Sequence, residues 1–199
     1  MDEVVRQAMA KWPNVPHCFG WLRLDARGAW RMRDERTQQL ELAGERIAHP
    51  ALLDFINRNY AHDEEGRWYF QNGPQRVFVD LELTPFIAHT QAAPVAGELA
   101  LVLHTGDALR DIDSAALDQH GRLYLCRAQQ VCAVDDRDMA QLLPAMKIGG
   151  RRDDEALMRW IEGDHREPVT LELAGASIAI QAIDSSRVAQ HFGFVARPR

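Results

Sequence analysis

The sequence predicts an α+β protein of two similar subdomains, each a mostly antiparallel sheet with one main helix packed on it, preceded by a short N-terminal helix. Three observations predict it. Short runs of alternating apolar and polar residues, bounded by Gly, Pro, Asn and Asp, fill most of the chain, which is the pattern of half-buried strands joined by tight turns. Residues 51–60 and 156–161 carry the two main helical stripes of the body. Three pieces of the first half also recur in the second, in the same order.

The elements are expected as follows. Residues 2–12 place Val4, Val5, Ala8, Met9 and Trp12 on one helical stripe, and Pro13 and Pro16 end it. From Cys18 the period changes to two, and Asp25-Ala26-Arg27-Gly28 turns the chain into a second strand over Ala29 to Arg33. Residues 34–46 are mixed, with an extended piece at Gln39 to Leu42. Pro50 suits the first turn of a helix whose Leu52, Leu53, Phe55, Ile56 and Tyr60 form a broad buried face. Strands follow at 67–71, 75–83 and 86–90, with Asn72-Gly73-Pro74 as a turn. The small-residue stretch 91–97 marks the boundary, and another strand runs from Glu98 to His104.

The second half repeats the theme: a hairpin at 115–126, a strand at 130–134, a short helix at 136–143 closed by Pro144, and a helix at 156–161 introduced by Asp153, Asp154 and Glu155. Strands at 169–173 and 177–183, a helical turn at Ser185-Ser186 and an extended piece at 193–197 complete it. The domain plan is therefore residues 1–18 as N-terminal helix and linker, 19–97 as the first repeat and 98–199 as the second. The repeat rests on Leu24–Gly28 against Leu117–Gly121, Ala51–Ile56 against Ala156–Ile161, and Val79–Leu83 against Val169–Leu173, at offsets of 93, 105 and 90 residues. On this reading the second half has no room for a full equivalent of the strand at 67–71.

Composition narrows the function classes. Hydrophobic residues make up 46% and charged residues 26% of 199, enough for a packed core without metal or disulfide. A net charge of −6 argues against nucleic acid and against an anionic membrane surface. No run of about 18 apolar residues exists, so no membrane span is expected. The acidic N-terminus does not read as a secretion signal, and the odd count of three cysteines suits reduced thiols in the cytoplasm. The expected partner is a small molecule or a protein, and no cofactor is called for. The oligomeric state is left open.

The segments His49-Pro50-Ala51-Leu52-Leu53, Asp63 to Phe70, Gly73 to Asp80 and Thr84-Pro85-Phe86 resemble an uncharacterised group of proteobacterial proteins of unknown function. Their layout is also similar to a second uncharacterised bacterial family. That resemblance, over roughly residues 19–125, implies a fold of two repeated α+β motifs and a role in signalling or ligand binding. It brings no catalytic residue, and Leu83-Thr84 stand where acidic residues are usual before the Pro-Phe pair.

Candidate site residues come from the densest mixture of aromatic, amide and guanidinium groups. In the strand at 67–71, alternation puts Arg67, Tyr69 and Gln71 on one face, where with Arg76 they can hold a planar or anionic ligand. His89 and His104, on or near strands that can be neighbours, join Arg67, Tyr69, Gln71 and Arg76 as ligand-binding candidates, and if their side chains face the same way they could also bind metal with Glu82 or Asp80. None of the eight histidines makes a helical ligand pair, so no metal is assigned. Cys126 and Cys132 can meet across a strand pair, though a small core residue is the commoner role. No Gly-rich phosphate loop or nucleophile elbow is present. The expected function is thus non-enzymatic ligand binding or regulation, the alternative a hydrolase-like enzyme using metal or His, Asp and Glu.

Overall fold

The computed structural model describes residues 1–92 and 99–199. The chain divides into two compact units, Met1–Pro85 with Gly193–Arg199, and Phe86–Phe192. Each is a mixed sheet with helices, an α+β fold with two similar subdomains. Most of the stretch 91–97, and the first residue of the strand expected from Glu98, lie outside the described residues. Among the described residues no helix is long and apolar enough to cross a membrane.

The first unit runs α1 (Glu3–Lys11), β1 (Cys18–Leu24), β2 (Trp30–Met32), α2 (Glu35–Gln39), β3 (Glu45–Arg46), α3 (Pro50–Arg58), β4 (Tyr60–His62), β5 (Trp68–Asn72) and β6 (Gln75–Leu81). The sheet order is β3-β2-β1-β6-β5-β4. The central pair β1 and β6 is parallel and every other pair is antiparallel. Helix α3 begins at Pro50 and sets the Phe55 ring edge-on to Phe70 at 5.4 Å. It is shorter than expected. Asn59 donates through Nδ2 to the Phe55 carbonyl, and Tyr60 already belongs to a strand. Of the predicted broad face only Ile56 is fully buried. Helix α1 buries Val5 and is tied down by the Asp2 N–H on Asn59 Oδ1 at 2.8 Å, while Val4 and Trp12 face solvent. The extended piece expected at Gln39–Leu42 is instead the end of α2 and a turn. Asp34 caps that helix by accepting from the Thr37 N–H.

The second unit runs β7 (Phe86–Ala92), β8 (Leu99–Leu103), β9 (Ala108–Leu109), β10 (Ser114–Asp118), β11 (Leu123–Arg127), β12 (Gln130–Val134), α4 (Met139–Leu142) with a 3-10 turn at Leu143–Ala145, β13 (Met146–Ile148), α5 (Asp154–Ile161), β14 (Val169–Leu173), β15 (Ala176–Ile183), a 3-10 turn at Ser185–Arg187 and α6 (Val188–His191). The sheet order is β13-β14-β15-β10-β11-β12-β7-β8-β9, with β10–β15 and β12–β7 parallel. Asp153 caps α5 through the Ala156 N–H at 2.9 Å, and the helix buries Ala156, Leu157 and Trp160.

Adding nine to each strand number of the first sheet reproduces six neighbouring strands of the second, parallel central pair included. The repeat therefore exists at the level of topology. Of the three sequence matches, only the turn after Leu24 and the turn after Leu117 are equivalent: they join β1 to β2 and β10 to β11. The other two are corrected. The counterpart of α3, which enters β4, is α4 with its 3-10 turn, which enters β13; α5 is an addition between β13 and β14. Val169–Leu173 forms β14, the counterpart of β5, so the strand at 67–71 does have an equivalent, and β6 corresponds to β15. Amphipathic helices and alternating strands share one pattern whatever their place in a fold, which is why the pattern matched the wrong pairs.

Candidate functional site

Alternation along paired strands sorts the first sheet into two faces. One carries Phe70 and packs against α3. The other carries Arg23, opposite both Arg31 and Asp80 in the register. Arg33, just past β2, reaches the same face. At Gly20, φ is +76° and the β1–β6 register shifts between Cys18 and Leu22, which makes room for the Gln38 side chain. The segment 193–199 closes the face, with Val195 N–H on the Gly66 carbonyl at 2.9 Å and Leu81 N–H on the Ala196 carbonyl at 2.8 Å. Between these elements lies a cavity of about 260 Å³ lined by Arg23, Arg33, Arg197 and Arg199 and by Glu41, Asp80 and Glu82.

Its floor is a buried ion pair. Arg33 Nη1 donates to Asp80 Oδ2 at 2.9 Å, with side chains 8% and 7% exposed. Arg199 Nη1 donates to the other Asp80 oxygen at 3.0 Å. Arg33 Nε is buried without a hydrogen-bond partner. The rim is looser: Arg23 pairs with Glu82 at 2.8 Å, and Arg197 reaches Glu41 at 3.5 Å with both side chains mostly exposed. Four guanidinium side chains converge on a partly enclosed space, which suits an anion with planar oxygen pairs.

The residues singled out from sequence divide between the units. Arg67, Tyr69, Gln71 and Arg76 share the face that carries Asp80, on β5 and β6 and just before β5, but both faces of β5 are buried from Trp68 to Gln71. Arg67 pairs with Asp63 at 2.8 Å and lies over the Phe78 ring at 5.1 Å. Arg76 lies over the Tyr69 ring at 4.5 Å, and Gln71 Nε2 donates to the Gly73 carbonyl. These groups hold one another and do not line the cavity. Arg33, Arg197, Arg199 and Asp80 do. The legible signal for them was Arg23, Arg31 and Arg33 at alternate positions of two adjoining strands, and an Asp within a Val-rich strand.

His89 and His104 belong to the second unit and do not form one ligand set. His104 Nδ1 accepts from the Ile87 N–H at 3.3 Å, and its ring lies by Phe86. His89 Nδ1 lies 3.2 Å from Asp138 Oδ2 and 3.5 Å from Asp135 Oδ2. Asp135 is fully buried at the end of β12. The Arg137 guanidinium beside it, which bonds both its oxygens, holds its carboxyl well below the usual carboxylate range. Asp80 and Glu82, considered with the histidines as ligands, are instead engaged by arginines of the first unit. The three cysteines are free thiols. Burial pushes Cys132 up to about 12, and its Sγ donates to the Leu125 carbonyl.

The model of the family described as "Protein of unknown function (DUF2946)" matches residues 1–199. Among solved structures, a DUF1285 family protein from Silicibacter pomeroyi DSS-3 is similar over 92% of this chain and 97% of its own, with 16% identity and a TM-score of 0.53. A DUF1285 family protein from Shewanella baltica OS155 covers 62% of this chain and 91% of its own, with 13% identity and a TM-score of 0.43. The first likeness is one of fold. No curated protein matches.

Proposed function

The chain belongs to that family of unknown function, and from this premise we propose that it is a cytoplasmic ligand-binding protein whose first unit takes a small organic anion, a carboxylate or phosphate compound, in the Arg33–Asp80 cavity. The single observation that carries the reading is Arg33. A buried ion pair is weak evidence for stability, because desolvating two charges offsets most of their attraction. Here the pair keeps one guanidinium nitrogen unpartnered and stands beneath three further arginines. Those on the tail, Arg197 and Arg199, are exposed and can exchange a carboxylate of the protein for one of a ligand. The free thiols support a reducing compartment. Ligand capture that draws the tail arginines inward is the step through which a regulatory role would act.

The test is a thermal-shift panel at low ionic strength with orthophosphate, di- and tricarboxylates and nucleotides. At least one compound should raise the melting temperature of the full chain, and Arg199→Ala, an exposed side chain, should weaken its binding about tenfold. A panel without a stabilising compound, or binding indifferent to both Arg199→Ala and Arg23→Ala, would sink the reading.

A further inference from the structure

We infer that the second unit carries a divalent-cation site made by His89 of β7, Asp135 at the end of β12 and Asp138 in the turn that follows, suited to a first-row ion such as Mn²⁺ or Zn²⁺. The parallel pairing of β12 with β7 builds it. Val134 stands opposite Ala88, and the Asp135 N–H donates to the Ala88 carbonyl at 3.0 Å, so the next position brings His89 beside Asp135. The chain then turns, with Asp138 N–H on the Asp135 carbonyl at 3.0 Å, and returns the Asp138 carboxylate to the same imidazole.

Three donor atoms, one from each residue, lie within 4.8 Å of one another. Bonds of about 2.0–2.2 Å to a zinc-class ion give edges of about 3.3–3.6 Å between ligands in a tetrahedron and about 2.8–3.1 Å in an octahedron. The 3.5 Å separation of His89 Nδ1 from Asp135 Oδ2 is a tetrahedral edge, and the 3.2 Å separation from Asp138 Oδ2 lies between the two ranges, within about 0.1 Å of each. Each of the two carboxylate oxygens has a protein donor besides the imidazole, Asp135 Oδ2 from Arg137 Nη2 and Asp138 Oδ2 from the Thr90 N–H. A neutral imidazole nitrogen has one proton to give, and here it faces two carboxylate oxygens. A cation at their meeting point meets both. One imidazole with two carboxylates favours a borderline first-row ion over Ca²⁺ or Mg²⁺.

The surroundings are those of a supported site. The Thr90 N–H donates to Asp138 Oδ2 at 3.2 Å, and Arg137 fixes the plane of the Asp135 carboxylate. His89 and Asp138 are 27% and 17% exposed, so an ion can enter from solvent and keep water in its remaining positions. None of these residues lines the cavity of the first unit, and the inference stands apart from the anion reading.

The experiment is equilibrium dialysis of the chelator-treated full chain against Mn²⁺, read by the paramagnetic resonance of the free ion, and in parallel against Zn²⁺. About one ion per chain is expected. His89→Ala and Asp138→Asn, both at part-exposed positions, should each weaken binding at least tenfold while circular dichroism stays unchanged. Arg199→Ala should bind the ion as the parent does. Absence of stoichiometric binding of either ion, or stoichiometric binding that survives both substitutions, overturns the assignment.

Discussion

Arg33 and Gly20 illustrate how a single position acts through its neighbours. The Arg33 backbone carbonyl accepts from Gln38 Nε2 at 3.1 Å, and its side chain holds Asp80. Gln38 can sit there because Gly20 has no Cβ; one added would come within 2.4 Å of Gln38 Oε1. Gly20 is also in the left-handed region, where a side chain costs about 1–2 kcal/mol. Gly20→Ala should therefore lower the unfolding free energy by about 1–2 kcal/mol in urea denaturation. By shifting Gln38 it should also weaken anion binding. A variant as stable as the parent would mean that the bulge adapts. The sequence offered no warning of this linkage, because Gly20 lies in an ordinary-looking strand and Gln38 in a segment with no clear period. The contacts that unite them are set by the return of α2 over β1.

Three hairpins share one construction at the scale of elements. Asp25, Asp63 and Asp118 each begin an Asp-x-x-Gly turn, and each accepts through Oδ1 from the N–H groups two and four residues on. The glycines Gly28, Gly66 and Gly121 have φ of +76°, +75° and +75°. Burial pushes the Asp25 and Asp63 carboxyls up, but the backbone N–H groups and the guanidiniums of Arg31 and Arg67 outweigh it, and both end below the ordinary value. With folded values depressed, their stabilisation is complete above the unfolded carboxylate range near pH 4 and is lost as pH falls through the folded values. Asp25→Ala should cost about 1–3 kcal/mol at pH 7. The gap to the parent should narrow at pH 2, as followed by chemical denaturation across pH. A gap independent of pH would deny the carboxylate its part. The turns at Asp25 and Asp118 were legible in the sequence, since their chemistry is local, whereas the one at Asp63 was not read, because the strand that enters it is only three residues long. Short strands such as β4, β9 and β13 were not legible, because two or three residues carry no period and exist only by pairing with longer neighbours.

The duplication of sheet order was legible for the whole molecule, but its alignment was not: the strand counterparts follow from hydrogen-bonded order, which periodicity does not encode. Nor was the sharing of residues between units. Helix, strand and turn signals are local, whereas the first unit recruits Gly193–Arg199 after 107 intervening residues. Phe194 is buried there, and Gly66 must be glycine because a Cβ would lie 2.2 Å from the Gly193 carbonyl oxygen. Deleting residues 193–199 should lower the stability of the first unit by about 3 kcal/mol, on the scale of a buried aromatic side chain with its backbone pairings. The second unit should be unaffected. Tryptophan fluorescence separates the two, since Trp12, Trp21, Trp30 and Trp68 lie in the first unit and Trp160 in the second. Equal loss in both signals would contradict this.

The returning segment also sets an order of events during synthesis. Domains ordinarily mature from the N-terminus as they leave the ribosome. Here the earlier-made sheet must wait, its Gly66 and Leu81 unpaired, until residues 195 and 196 are translated, by which time Phe86–Phe192 is already complete. The later-made unit is thus free to mature first, and a released chain ending at residue 192 would hold every residue of the second unit while the first still lacked residues 193–199.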